Sequence, residues 1–104
     1  MLRRVYQSTR FTKGQLKLQE IIESIGLETI LEYPVGQCIL DIYCPEINVA
    51  FEFDSPWHFS KKKDTNRDSH LLDHYNIRTM RIRDENLKDF DIIDKIKEFM
   101  QGND

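Results

Sequence analysis

The sequence predicts an α/β fold built on a mixed (α+β) sheet, and three observations carry the prediction. The runs Cys38 to Tyr43 and Asn48 to Phe53 are rich in Ile, Val, Phe and Tyr, with Cys44-Pro45-Glu46-Ile47 between them as a short connection, so they read as a hairpin. Stretches on either side of that hairpin carry apolar residues at helical spacing: Leu18, Ile21, Ile22 and Ile25 before it, Ile92, Ile93, Ile96, Phe99 and Met100 after it. A further β-favouring run, Ile77 to Ile82, follows a helical segment, and a helical crossover returns a strand parallel to its neighbour.

Taken in order, residues 1–11 form a basic amino-terminal arm and residues 12–101 the core of a single domain spanning 1–104. Thr12 with Gln15 three residues later resembles a capping box, opening a helix that Gly26 stops. Gln15 falls on the inward stripe of that helix and Glu20 on the opposite side. A first strand is expected over Glu28 to Tyr33, with Pro34-Val35-Gly36 turning it into the hairpin. A polar loop follows His58, and Thr65 with Asp68 is a second capping box, opening a helix to about Tyr75. Asp68 shares a helical stripe with Leu72 and Tyr75 and so faces the sheet, where Arg81, His58 or a bound water are its candidate partners. The order is α-β-β-β-α-β-α, with no internal repeat and with Gly102 to Asp104 as a frayed end.

Length and composition bound the function. A chain of 104 residues supports one core. No stretch is long and apolar enough to span a membrane, and Met1-Leu2-Arg3-Arg4 does not open a signal peptide, so a soluble, cytoplasmic protein is expected. Cys38 and Cys44 share one strand parity and lack a CxxC spacing, which predicts buried, reduced thiols packed with Leu40 and Ile42. The net charge of -3 is unevenly spread. Arg3, Arg4, Arg10, Lys13 and Lys17 make the amino-terminal end basic, Lys61-Lys62-Lys63 add a second cluster, and the acidic excess follows Arg83. A Lys run alone is usually a solvated face; beside an acidic site it points to phosphate contact.

The acidic residues inside the hairpin carry the chemistry. With Glu46 and Ile47 at the tip, Asp41 lies opposite Glu52 and Ile39 opposite Asp54, and opposed residues share a sheet face. Like charges placed so close raise one another's pKa unless a cation sits between them, and hard oxygen ligands suit Mg²⁺, with Mn²⁺ as a substitute. Singly, Asp41 or His58 would more often be structural; together they describe a site. His58, just beyond the strand, is suited to general acid or base work, while Asp54 is suited either to orient it or to hold a second ion. Trp57 beside Pro56 either stacks on a base or covers the core. His70 and His74 have zinc-ligand spacing without a third ligand.

Pro34-Val35-Gly36, Leu40-Asp41-Ile42-Tyr43-Cys44-Pro45-Glu46, Ala50-Phe51-Glu52-Phe53-Asp54-Ser55-Pro56-Trp57-His58, Asp64, Arg67-Asp68, Leu71 and Met80-Arg81 resemble the small nuclease-like domains related to the very short patch repair endonuclease. Those domains belong to the PD-(D/E)XK, restriction endonuclease-like fold, with an αβββαβ core here followed by a C-terminal helix. The resemblance implies a Mg²⁺-dependent DNA endonuclease or nickase in a prokaryotic or phage-encoded context, with a homodimer needed to break both strands. It further implies catalytic roles for Asp41, Glu52, Asp54, His58, Asp68 and Gln15 and a metal held by Asp41, Glu52 and the Phe53 carbonyl. Arg3, Arg4, Arg10, Lys13, Lys61, Lys62, Lys63, Arg67 and Trp57 are the expected nucleic-acid contacts. The chain departs from the family in having Gln15 where a Glu is usual, Asp54 where the wider fold has Lys, and Ser55 where Gly is customary. Glu52 to Phe59 also resembles an RNA-associated domain of the same fold, so a non-catalytic nucleic-acid-binding module is the second reading.

Overall fold

The structure, a computed structural model, describes residues 13–53, 61–82 and 88–101, and side chains from residue 65 onward within the second of these ranges. The elements run α1 (Lys13–Ser24), β1 (Ile30–Val35), β2 (Cys38–Cys44), β3 (Val49–Phe53), α2 (Lys61–Tyr75), β4 (Arg78–Ile82) and α3 (Asp89–Gln101). This is the α-β-β-β-α-β-α order expected from the sequence. The strands make one mixed sheet in the order β1-β2-β3-β4, antiparallel across the first two pairings and parallel between β3 and β4. None of the described helices is long and apolar enough to cross a membrane.

Helix α1 forms because Leu18, Ile21 and Ile22 recur on one face, with Gln15 one turn earlier on the same stripe, and all four are buried. It ends where Gly26 takes a left-handed conformation (φ 94°) and donates its N–H to Glu23 O at 3.0 Å. Helix α3 buries Ile92 and Ile96 against the same side of the sheet, and Asp89 and Asp91 in its first turn suit the positive end of its dipole. Leu18, Ile22, Ile42, Cys44, Phe51, Ile82 and Ile96 form the main core between these two helices and the sheet. A smaller cluster of Val35, Leu40, Ala50, Leu71 and Ile77 lies with α2, so helices cover both faces.

Three expectations need correction. β1 runs through Pro34 and Val35, which pair with Ile39 and Cys38, instead of turning there. As the edge strand, β1 has an outward side that needs no N–H donor, so the proline is tolerated. Helix α2 opens at Lys61 and not at Thr65, and its buried residue is Leu71, whereas Leu72 and Tyr75 are exposed. Asp68 still faces the sheet, because the inward stripe passes through Arg67, Asp68 and Leu71. Cys44 is buried as expected but Cys38, at the start of β2, is only half-buried; Cys38 packs with Leu40 and Cys44 with Ile42 in different clusters, so the two free thiols share no environment. Burial pushes the Cys44 thiol up to about 12, with Glu46 and Glu23 adding to it, so it is inert at neutral pH.

That last difference exposes a break in the strands. Residues two apart on a regular strand share a face, yet Leu40 and Ile42, both fully buried, belong to opposite clusters. Their partners on β1 switch too: Leu31 pairs with Ile42 and packs on the α1 side, Tyr33 pairs with Leu40 and packs on the α2 side. The switch falls on Glu32 and Asp41. Glu32 has a positive φ of 53°, and no ladder pairing joins it to Asp41.

The start of α1 is fitted closely to β3: a Cβ added at Gly14 would lie 2.3 Å from Phe53 Cε2 and 2.6 Å from its Cζ. Alanine is ordinarily the better helix former, so Gly14→Ala gives opposite signs for propensity and packing. The expected outcome is a net loss of about 1–3 kcal/mol in urea unfolding, since the half-buried Phe53 ring must move. A stabilised variant would contradict this packing.

Candidate metal and nuclease site

The site lies where the β2–β3 ladder ends. Paired residues run from Cys44↔Val49 to Ile42↔Phe51, and the next step of the same register brings Asp41 opposite Glu52, as the hairpin reading expects. There the side chains take over the main-chain donors. Asp41 N–H donates to Glu52 Oε2 at 3.1 Å, and Phe53 N–H donates to Asp41 Oδ2 at 3.4 Å. Glu52 is 5% exposed, so its carboxyl is largely out of water.

Each face of the sheet sends one polar side chain to this point. From α1, the buried Gln15 donates through Nε2 to Asp41 O at 3.1 Å and to Glu32 Oε2 at 3.2 Å. From α2, Arg67 places Nη1 3.3 Å from Glu52 Oε1 and donates through Nη2 to Ile39 O at 2.7 Å. The contacts form one chain, Glu32–Gln15–Asp41–Glu52–Arg67, from one side of the sheet to the other. Beside it, Arg81, the β4 partner of Glu52, donates from one edge of its guanidinium to both Asp68 oxygens, Nε to Oδ2 at 3.0 Å and Nη2 to Oδ1 at 2.8 Å. Of the partners open to Asp68 from sequence, Arg81 is the one found among the described residues.

The electrostatics follow from burial and crowding. Burial pushes the Asp41 carboxyl up from its ordinary value, against the Phe53 N–H and the Glu52 carboxyl, with Glu32 adding repulsion and Arg67 offsetting it. Burial and then the Asp41 charge push Glu52 up to about 7, with Arg67 and the Asp41 N–H holding it back. The pair therefore titrates as a unit that retains a proton toward neutral pH.

Lys13 is exposed at the start of α1, and the main chain of Lys61, Lys62 and Lys63 forms the first turn of α2. Arg67, expected on phosphate, is turned onto Glu52. Arg3, Arg4, Arg10, Asp54, Trp57 and His58 lie outside the described residues, so the third carboxylate and the acid/base histidine stay expectations. His70 and His74 stack with ring centroids 4.2 Å apart on α2. No group of three or more His, Cys, Asp or Glu side chains that could hold a metal occurs among the described residues. The residue that sequence reading missed is Glu32. Its signal was the same as that of Asp41: an acidic residue inside an apolar β run, Ile30-Leu31-Glu32-Tyr33.

No family model, curated protein or solved structure matches this chain.

The Glu52 shift sets a pH dependence of stability. Its folded value of about 7 lies above its ordinary 4.5, so the folded state binds the proton more tightly and gains stability that is complete below about 4.5. That stability is lost as pH rises through about 7. At roughly 1.4 kcal/mol per pH unit, the loss between pH 4.5 and 8 is about 3 kcal/mol. Urea unfolding in chelator from pH 4.5 to 8 is expected to show this decline in the wild type and a much flatter profile in Glu52→Gln; equal slopes would refute it.

Proposed function

We propose that the chain is a small metal-dependent endonuclease or nickase that hydrolyses DNA phosphodiester bonds, on the restriction endonuclease-like plan of the very short patch repair endonucleases. The observation that carries this reading is the meeting of Asp41 and Glu52 at the open end of the β2–β3 ladder, a half-buried and a buried carboxyl that cannot both ionise comfortably. Mg²⁺ keeps several waters and needs only one or two protein carboxylates, so this donor set fits it, and Mn²⁺ can replace it. When bound, such an ion would polarise the scissile phosphate and make water a better nucleophile.

The chain's own residues have separable tasks. Asp41 and Glu52 would hold the ion, with the Phe53 carbonyl as a further ligand. Arg67 fixes the Glu52 rotamer and neutralises part of its charge, which makes it a positioning residue and not a phosphate contact. Gln15 holds the Asp41 main chain. His58 transfers a proton to the departing 3′-oxygen or from the attacking water, and Asp54 supports it or a second ion. Lys61, Lys62, Lys63 and the basic arm hold the phosphates. A site of this size cuts one strand, so a double-strand break requires a homodimer or a partner.

A second reading, a nucleic-acid-binding module on the same fold, is favoured by one observation. Both carboxylates already accept a main-chain N–H, Glu52 is also paired with Arg67, and the α1 position beside them is an amide, so the site is held together by the chain itself.

Supercoiled plasmid, single-stranded DNA and structured RNA incubated with Mg²⁺, Mn²⁺ or chelator separate the two. The expected result is metal-dependent nicking of the plasmid, abolished in Asp41→Ala. His58→Ala is expected to nick about 10²-fold or more slowly with DNA binding nearly intact, and replacing Lys61, Lys62 and Lys63 by Ala to weaken binding and flatten its salt dependence. Binding through those lysines without cleavage by either metal would replace the endonuclease with the module.

A further inference from the structure

The backbone at Glu32 is unusual, and it lies at the step where β1 and β2 switch faces. A positive φ of 53° is sterically unfavourable for any residue with a Cβ, and here it falls inside a strand. The ladder on both sides keeps one register, Leu31↔Ile42 and Tyr33↔Leu40, so no inserted residue forces the distortion. A regular strand would have kept the pairing between Glu32 and Asp41. The side chain gains what the ladder loses: Glu32 Oε2 accepts from Gln15 Nε2 at 3.2 Å, and the same nitrogen donates to Asp41 O at 3.1 Å.

Those two acceptors fix the orientation of the Gln15 amide, since a carboxylate and a carbonyl both demand its NH₂ end. Asp41 is then held by side chains at both of its main-chain polar groups, its carbonyl by Gln15 and its N–H by Glu52. The face switch of β1 and β2 occurs at this same step, which places the Asp41 side chain at the ladder's end, with Oδ2 on the Phe53 N–H. We propose that Glu32 is a positioning residue of the nuclease site, acting through Gln15 to set the Asp41 main chain, and hence its carboxylate, where the ion and the scissile phosphate meet. This rests on the endonuclease reading above. Glu32 needs only to accept a hydrogen bond for this role, so an amide at the same position can replace it, whereas a residue without an acceptor cannot.

The test is steady-state plasmid nicking in Mg²⁺ by the wild type, Glu32→Ala, Glu32→Gln and Glu32→Gly, with thermal unfolding of each. Glu32→Ala and Glu32→Gly are expected to lower kcat by about 10-fold to 10²-fold with KM for DNA little changed. Glu32→Gln, whose amide oxygen can accept from Gln15, is expected to recover most of that loss. Glu32→Gly also relieves the backbone, so it is expected to melt no lower than Glu32→Ala while remaining slow. Wild-type kcat in Glu32→Ala, or kcat losses across the series that merely follow melting temperature, would overturn the positioning role. Glu32→Gln as slow as Glu32→Ala would overturn action through a hydrogen bond. An inactive wild type would instead reject the endonuclease reading, and this role with it.

Discussion

Two carboxyl groups facing each other across the end of a β ladder set the terms for the rest of this structure. Asp41 and Glu52 are brought together by register, and each accepts a main-chain N–H from the other strand. Unit charges of like sign about 4 Å apart repel by roughly 4 kcal/mol even at an effective dielectric of 20. Such a pair must keep a proton, gain a cation, or spread its charge onto neighbours. Arg67 does part of the last, and the proton retained by Glu52 does the rest. A divalent ion removes the conflict outright, which is why the same feature is both a weakness in the fold and the basis of its proposed chemistry.

The two faces of the sheet are attached in different ways. Helix α1 lays Leu18, Ile21 and Ile22 into the main core. Among the described side chains of α2, Leu71 alone is buried, and the rest of its inward stripe is the Arg67–Glu52 and Asp68–Arg81 pairs. Partly buried ion pairs of this kind contribute less net stability than apolar burial, because desolvation offsets attraction. They do fix orientation. The α2 side of the site is therefore defined by hydrogen-bond geometry on a modest apolar footing, while the α1 side rests on a packed core.

Much of this was legible in the sequence because the relevant signals were local. Alternation and a short connection located the hairpin and its register, so Asp41 opposite Glu52 followed from counting residues. Helical periodicity put Gln15 inward and Glu20 outward. Periodicity failed where polar contacts and not apolar ones hold an element: Leu72 and Tyr75 seemed the natural inward stripe of α2, yet Asp68 is inward because Arg81 is there to meet it. The turn at Pro34 was misread because proline's effect depends on whether a strand is an edge, which is a property of the whole sheet. The switch of faces at Glu32 and Asp41 breaks the period of two on which strand reading relies, and Glu32 was passed over for that reason.

The conflict between Asp41 and Glu52 is open to direct observation through the side-chain carboxyl carbons. Their ¹³C shifts, followed by NMR against pH in chelator and again in Mg²⁺, report which group holds the proton and what displaces it. Without metal, Glu52 should titrate near its raised value of about 7, and with Mg²⁺ its midpoint should fall well below that while Asp41 shifts in concert. A Glu52 that titrates at an ordinary carboxylate value, or a midpoint that Mg²⁺ leaves unmoved, would contradict the claim that this pair is a cation site.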